Sequence, residues 1–446
     1  LNAGTGSFYG IYCAYTVLTN VFQNLISDVS VGGTVYAIQA GGTSTVTINT
    51  YNNTLENITT SGTTLYGFYC VTATNNNIYR NRIRNLTANS TVSGIYVSSG
   101  TNLQFYNNFI SELKSPSSTN VNGVVGINLA AGTAASVFYN TVYLDAASSG
   151  ATFGSSALYA VSGVALDLRN NILVNKSSRA GNTGFTVAYR RNGGISETNY
   201  LPTSNSNDLY ASSGSAVGNY VFYDGTATGK DSSIADFQSR VAPRDAASFS
   251  ENPPFINVAN SPYDLHLQQT QSKCESGGSI VTSPPVDITV DFDLDPRYPN
   301  PGYPENENSA ASAPDVGADE FAGFPTFSCS APIPGNTLTS ANDFCLGQTI
   351  TLTLENEISG TGNTFRWQQS PDNTTYVDVP DATLSSLVIT PSQAAWYRCV
   401  VTCLAGPYTE ISEPLFIHFS YEVTAATGGE RCGAGSVKLE AEGTGP

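Results

Sequence analysis

Apolar and polar residues alternate in short runs along the first half of the chain, and the runs return in register. Gly10, Ala37, Gly67, Gly94, Gly126, Ala157 and Gly184 form one column at intervals of roughly 30 residues. One residue later stand Ile11, Ile38, Phe68, Ile95, Ile127, Leu158 and Phe185; three later stand Cys13, Ala40, Cys70, Val97, Leu129, Ala160 and Val187. Between them lie Tyr12, Gln39, Tyr69, Tyr96, Asn128, Tyr159 and Thr186. This is the period-2 signature of a strand with one apolar face. A second column keeps step with the first: Asn24, Asn53, Asn81, Asn108, Asn140 and Asn171. Phe22, Tyr51, Tyr79, Tyr106 and Phe138 precede those asparagines by two, and Ile26, Leu55, Ile83, Ile110, Val142 and Leu173 follow them by two.

One strand pattern per roughly 30 residues, repeated in register, predicts a parallel β-solenoid whose coils stack at about 4.8 Å. No long stretch carries apolar residues at helical spacing, so the protein is expected to be nearly all β. Parity turns the repeated Asn inward, where a buried amide needs partners. Amides of successive coils supply them by stacking, so the Asn column reads as a structural ladder and not as chemistry.

The chain has 446 residues, which implies two or three domains. Charged residues make up only 12%, against about 25% in ordinary globular proteins. A net charge of −17 argues against nucleic acid or an anionic membrane as partner. No run approaches 18 apolar residues, so no membrane insertion through a helix is expected. Met is absent, including at position 1, which suggests a processed product or a piece of something longer. The column already exists at Gly10, so further coils are expected upstream. The repeat therefore defines residues 1–200 as solenoid coils, and residues 201–325, richer in Pro, Asp and irregular loops, as a segment covering the last coil.

The coils resemble the right-handed parallel β-helix of the pectin-lyase-like superfamily. The stretches "LRNNILVN", "VAYRRN", "VAPRDAASFSENPPF", "SPYDLHLQ" and "APDVGADEF" resemble β-helix modules of large secreted proteins from Bacteroidetes-type bacteria. After "FAGFP" the pattern changes. Cys345, Trp367 and Cys399, with Tyr397 two before the second Cys, match the bridge, core Trp and tyrosine corner of an immunoglobulin-like sandwich. Residues 326–420 thus resemble bacterial Ig-like repeats of adhesins and surface arrays, with a Cys345–Cys399 disulfide implied and Cys329–Cys403 a second candidate bridge. Cys432 repeats the context of Cys345, so residues 421–446 read as the truncated start of a further Ig-like module. Disulfides imply an oxidising, extracellular setting. Cys13 and Cys70 share a column two coils apart, about 9.6 Å by strand spacing, beyond the reach of a bridge, and are expected as free thiols. Cys274 has no evident partner.

β-Helices host polysaccharide lyases and glycosidases, whose chemistry needs paired carboxylates, or acidic calcium ligands with a base. Residues 1–200 hold six scattered carboxylates, Asp28, Glu56, Glu112, Asp145, Asp167 and Glu197, and neither His266 nor His418 lies in the repeats. No catalytic residue is assigned. In "DFDLDPR", Asp291, Asp293 and Asp295 could gather oxygens around calcium, the one candidate cofactor. An EF-hand loop would want Gly and Glu where Pro296 and Gly302 stand, and a closing turn with Asp side chains on backbone amides is the competing reading. Arg80, Arg82 and Arg84 alternate and read as a solvated face; Arg190 and Arg191 form a second small basic spot. The outward row Tyr12, Tyr69, Tyr96 and Tyr159, with Gln39 and Asn128 between, is the candidate ligand surface for glycans or partner surfaces; cross-coil stacking is its structural alternative.

The expectation is a non-enzymatic, extracellular, rod-like portion of a bacterial cell-surface protein. The resemblance implies an adhesin or gliding-type filament exported by the type IX secretion machinery, with neighbouring modules of the same chain as partners. A polysaccharide-degrading β-helix enzyme and a pure spacer are the alternatives.

Overall fold

In the computed structural model the described residues are 2–443, apart from 72–74, 182, 194–198, 213–217, 282–287, 302–312, 326–328, 342–346, 359–361, 404–407, 419–422, 429–435, 437 and 439. The chain divides into two units, Leu1–Pro325 and Thr326–Pro446. Both are β-structures, and the first is a parallel solenoid of about six turns over residues 8–223.

Each turn contributes strands to three ladders. In the first two coils the long strands Phe8–Phe22 and Val35–Tyr51 serve two ladders at once. In later coils these become separate strands, Thr64–Val71 with Asn75–Tyr79, then Thr91–Val97 with Asn102–Tyr106. The third ladder runs through Leu25–Val31, Thr54–Thr60, Arg82–Thr87, Phe109–Ser111, Thr141–Leu144, Ile172–Asn175 and Asp208–Ala211. Pairing is parallel and in register, with Ile38 against Phe68, Phe68 against Ile95 and Ile95 against Ile127. Inside, Val, Ile, Leu and Phe from all three ladders form one continuous core. The Gly/Ala column is small because the next coil presses on it. A Cβ on Gly94 would meet the Gly126 carbonyl at 2.7 Å and Ile110 at 2.8 Å.

Asn24, Asn53, Asn81, Asn108, Asn140 and Asn171 stand in one file at a corner. Each Nδ2 donates to the Oδ1 of the next Asn, at 2.8 to 3.0 Å. Each Oδ1 from Asn53 onward also accepts the backbone N–H of the Asn one coil earlier, as from Asn24 to Asn53 at 3.1 Å and from Asn53 to Asn81 at 3.0 Å. The remaining Nδ2 hydrogen reaches main-chain carbonyls; Asn81, for example, donates to Thr50 and Tyr79. The residues immediately before the asparagines, Gln23, Asn52, Arg80, Asn107, Tyr139 and Asn170, all have φ between 51° and 59°. This left-handed residue turns the chain through the corner and breaks the two-residue parity. Aromatic residues two before the inward Asn therefore face outward, and Phe22, Tyr51, Tyr79 and Tyr106 stack there at 4.7 to 5.1 Å.

Three features of the coils differ from the sequence reading. A seventh rung, Asn207, follows Ser206 at φ 58° and accepts from Asn171. Its own Nδ2 meets Asp245 Oδ1 at 3.2 Å and its N–H meets Ser248 Oγ at 2.8 Å, so these two side chains stand in for the next Asn. The last Gly/Ala position is Ala188 and not Gly184, because Leu158 pairs with Tyr189 and Tyr159 with Arg190. Arg191 consequently points inward, fully buried, and donates to Tyr189 Oη and to the Val164 carbonyl instead of joining a basic surface spot.

Residues 201–325 do two jobs. Up to about residue 250 they close the end of the core: the helix Ile234–Val241, capped by Ser233, buries Phe237 and Val241 with Tyr189, Tyr200 and Phe222. Beyond it the chain turns back along the outside of the third ladder. There Phe255, Leu265, Leu267, Val316 and Phe321 pack on Phe109, Tyr143, Ile172 and Val174. This clasp covers the side of the coils, where the sequence reading had it covering only their end. Outward apolar residues on those rungs are what it sits on, whereas Thr54 and Arg82 hold the position of Phe109 on the two coils before it.

In the second unit, Thr337–Thr339, Ile350–Leu354 and Leu387–Ile389 form one antiparallel sheet. Asn363–Ser370, Val377–Asp378, Ala395–Cys403, Tyr408–Ile411 and Leu415–Ile417 form the other. Trp367 is fully buried among Ile350, Leu352, Leu387, Tyr397, Val401 and Ile417, and its Nε1 donates to the Leu384 carbonyl. These antiparallel sheets fit an Ig-like β-sandwich.

Asn108→Ala removes two donations and two acceptances from a buried rung, so the solenoid should lose about 2–4 kcal/mol in urea melts, against under about 0.5 kcal/mol for Asn102→Ala on the exposed surface. Burial raises the Asp245 carboxyl to about 6, against the pull of hydrogen bonds from Ser248, Tyr200 and Asn207. A carboxyl raised on folding contributes stability below its unfolded value near 4 and loses it as pH rises through about 6. Asp245→Asn should flatten the decline of the urea midpoint between pH 4 and 6.

Candidate functional site

Outward side chains of the first ladder form a tyrosine patch. Tyr12 is 58% exposed, while Tyr69, Tyr96 and Tyr159 are half-buried. Tyr69 and Tyr96 lie face to face at 5.4 Å with an interplanar angle of 5°. The row is not alone. Tyr9, Tyr36 and Tyr66, three residues before Tyr12, Gln39 and Tyr69, form a second file beside it. Tyr9 stacks on Tyr36 at 4.8 Å, Tyr36 meets Tyr69 edge-on at 4.9 Å, and Tyr66 touches Tyr36, Tyr69 and Tyr96. Each stacked ring spends a face on its neighbour, so the patch offers solvent mostly ring edges and hydroxyls. Burial, then the neighbouring phenols, pushes the Tyr66 hydroxyl upward, so Tyr66 keeps its donor proton at physiological pH. Tyr159 stands apart: Asn128 separates it from Tyr96, and the Arg190 guanidinium lies 6.0 Å over its ring. Asn128 Oδ1 is buried without a hydrogen bond.

The second ladder presents amides. Asn49 donates to Asn20 and Asn77 to Asn49, while Asn102 donates to Asn75 and Asn75 to Thr47. Below these, the file passes from Asn102 to Ala134 and from Gln104 to Ser136. The loss of side-chain length opens a groove of about 560 Å³, lined by Thr47, Asn75, Asn77, Asn102, Gln104 and Ser136. Asn77 Oδ1 ends its ladder without a donor. No residue type in this groove titrates near neutral pH.

The clasp carries the acidic groups. Asp291, Asp293 and Asp295 part company in the structure. Asp291 is buried: Oδ1 accepts the N–H groups of Asp293 and Asp295, and Oδ2 accepts that of Glu320. Asp295 is exposed. Asp293 Oδ2 reaches His266 Nε2 at 2.6 Å, and Asp264 holds His266 Nδ1. Asp319, 8% exposed, brings an oxygen to the same place, so ligand atoms of His266, Asp293 and Asp319 lie within 4.8 Å of one another. Burial alone would lower the His266 imidazole. The hydrogen bond to Asp293, the charge of Asp319 and the Asp264 contact reverse that and raise it to about 9. His266 and Asp319, 27 positions before Asp293 and 26 after it, thus gather with Asp293 into a cluster of potential ligand atoms in the segment that the sequence singled out. The sequence signal was the alternating Asp-Leu-His of "SPYDLHLQ".

Arg297 fastens the clasp to the coils. Its guanidinium is 1% exposed, pairs with Glu320 at 2.9 Å, donates to Asn107 Oδ1 and the Gly317 carbonyl, and lies 4.1 Å over the Tyr139 ring. Arg82 lies 5.0 Å over Phe292, and Arg84 pairs with Glu56, so the alternating arginines serve contacts between coils and clasp.

Among the described cysteines the structure holds one bridge, Cys329–Cys403, with Cα atoms 5.7 Å apart. Cys399 is a free, buried thiol pushed up to about 11 by burial, and so is not bridged as the Ig-like pattern implied. Its alternation with Cys403 on Ala395–Cys403 turns both side chains to the buried side, and it is Cys403 that meets a sulfur. Cys345 and Cys432 lie outside the described residues. Cys13, Cys70 and Cys274 are free; Cys13 and Cys70 sit either side of Ala40 in one column.

All-β architecture, a parallel solenoid and antiparallel sandwich sheets define the class of the molecule. Residues 334–420 match a family described as a domain of unknown function, DUF8696. No curated protein and no solved structure matches the chain.

Arg297→Ala leaves Glu320 buried without its cation, so it should loosen the clasp by about 3–5 kcal/mol. Hydrogen exchange should show lost protection over residues 255–321 while the core strands of the coils keep theirs.

Proposed function

We propose that this chain is a non-enzymatic, extracellular binding rod, part of a larger bacterial cell-surface protein of the adhesin or gliding-filament kind, that takes up neutral glycans or glycan-coated surfaces. The observation that carries the reading is the pairing of two uncharged surfaces on the solenoid: the tyrosine patch around Tyr9, Tyr12, Tyr36, Tyr66, Tyr69 and Tyr96, and the amide groove around Asn75, Asn77, Asn102 and Gln104. Hydroxyls, amides and ring edges are the groups that meet sugar hydroxyls and C–H faces without charge. The repeat supplies them at regular intervals, as a polymer with a regular repeat requires.

The state of the carboxylates supports a binding role over turnover. Glu56 pairs with Arg84, Asp167 with Arg169, Asp145 accepts from Tyr263 Oη, and Glu112 is 1% exposed and accepts from Tyr263 N–H. Each is engaged in holding coils or clasp, whereas glycoside hydrolysis uses a facing carboxylate pair. The disulfide supports an oxidising compartment. Secretion through the type IX route rests on the resemblance of the coil and closing motifs alone.

Retention of the folded protein on insoluble polysaccharides and on a glycan array tests the reading. Tyr12→Ala alone and Tyr69→Ala with Tyr96→Ala should weaken retention at least tenfold, equivalent to about 1.4 kcal/mol. Absence of binding by the intact chain, or release of new reducing ends or unsaturated products, would refute it.

A further inference from the structure

The clasp holds a second chemical feature that the binding surfaces do not use. His266 stands on the short strand Asp264–Leu267, Asp293 on the turn after Phe292, and Asp319 in the "APDVGADEF" stretch. Three separate segments thus converge on one imidazole. Asp264 holds Nδ1, which fixes the proton of a neutral imidazole on that nitrogen and directs the Nε2 lone pair at Asp293 Oδ2, 2.6 Å away. A lone pair facing a carboxylate oxygen at that distance is repulsive unless a positive charge lies between them. A proton on Nε2 or a bound cation supplies that charge. Asp319 is also aimed at the place: its Oδ2 accepts the Leu267 N–H at 2.7 Å, which fixes the carboxylate, and the residue is 8% exposed. Three carboxylates, Asp264, Asp293 and Asp319, surround a single imidazole, and the nearby guanidiniums of Arg82, over Phe292, and Arg297, paired with Glu320, act on Asp264 and Asp319 by charge and not by an ion pair.

We infer that His266 Nε2, Asp293 and Asp319 form a binding site for a divalent transition-metal cation of the zinc class, with Asp264 orienting the imidazole from behind. One imidazole with two carboxylates, and with the far ring nitrogen held by a carboxylate, is the donor set that suits zinc and its neighbours; calcium prefers six or more oxygens. Ligand atoms already within 4.8 Å of one another need small movements to reach metal-bonding distance. The bound cation would tie the strand, the turn and the closing stretch to one another and so hold the clasp on its coils. Asp291 and Asp295 take no part, since Asp291 is committed to three backbone amides and Asp295 is exposed.

The test uses the tag-free full chain, dialysed against a chelator and titrated in a calorimeter with zinc and, separately, with calcium at neutral pH. The expected result is one zinc per chain and a rise in Tm on zinc addition. Asp293→Asn, at a half-exposed position that the fold does not need, and His266→Gln should each weaken zinc binding at least tenfold while the far-ultraviolet circular dichroism is kept. Cobalt substitution should give visible absorption bands that the His266→Gln protein lacks. No zinc heat, zinc heat unchanged in both variants, or a response to calcium alone would overturn the assignment; in the first case His266 is an imidazolium bridge between carboxylates.

Discussion

The amide ladder at the corner is the constraint on which the coils depend. A solenoid coil must turn where its strands end, and the turn puts a polar main chain against an apolar core. One left-handed residue followed by one inward Asn solves both problems at once. The left-handed residue bends the chain, and the Asn side chain satisfies main-chain groups of its own coil and of the coil before, while its Nδ2 and its own N–H donate to the Asn of the coil after. Loss of one Asn strands the N–H and Nδ2 donors of the Asn before it and withdraws a donor from the Asn after it, so the ladder enforces register as well as stability. Everything outward of it follows. Once Asn24 to Asn207 are aligned, Tyr51 must lie on Tyr79, and Tyr69 on Tyr96.

Register also explains why side-chain surfaces, and not a cavity, are the solenoid's useful product. Parallel coils repeat a residue type at the spacing of strands, so a file of like side chains becomes a flat array. Where the file keeps its type, as at Tyr51, Tyr79 and Tyr106, rings stack and close their faces to ligands. Where the type changes, as from Asn102 to Ala134, the array opens into a groove with an unpaired acceptor at its lip. On the proposed reading, the groove at such an interruption is one of the two surfaces offered to a glycan.

Most of the repeat was legible in the sequence because strand periodicity and coil length act locally. The inward Asn file, the apolar files and the outward Tyr file all followed from two columns of residues. Asn207 was missed because the coil that holds it is longer and its sixth-to-seventh spacing departs from the others. Gly184 was taken for Ala188 because a glycine happened to fall at the average interval, whereas pairing of Leu158 with Tyr189 decides the register. The companion file Tyr9, Tyr36 and Tyr66 lies three residues before the outward row, an odd spacing that strict parity turns inward, and the alternation breaks at the Gly/Ala column between them. What could not be read was the clasp. Contacts such as Arg297 with Asn107, or Tyr263 with Asp145, span more than a hundred residues and leave no periodic trace. The same holds for the acidic motif. Its three aspartates look equivalent in sequence, yet one is a buried acceptor of amides, one faces a histidine and one faces water. The cysteine pattern was right in part: the candidate bridge Cys329–Cys403 is present, whereas Cys399, on the same face of the strand as Cys403, is a free thiol and not the bridged cysteine that the Ig-like pattern implied.

The clasp changes what kind of object the solenoid is. Stacked coils alone touch only their neighbours and can unspool one at a time from an end, each loss independent of distant coils. A segment lying across Phe109, Tyr143 and Ile172 crosses three rungs and bonds to Asn107, Tyr139 and Asn170 at the corner. Those coils cannot be drawn off singly, because the first to leave must strip the strap from the others. Under tension along the chain, such a body would yield in one step and not ratchet turn by turn. The coils before that of Arg82, for which the described residues show no contact with the strap, are where a pull would be absorbed gradually.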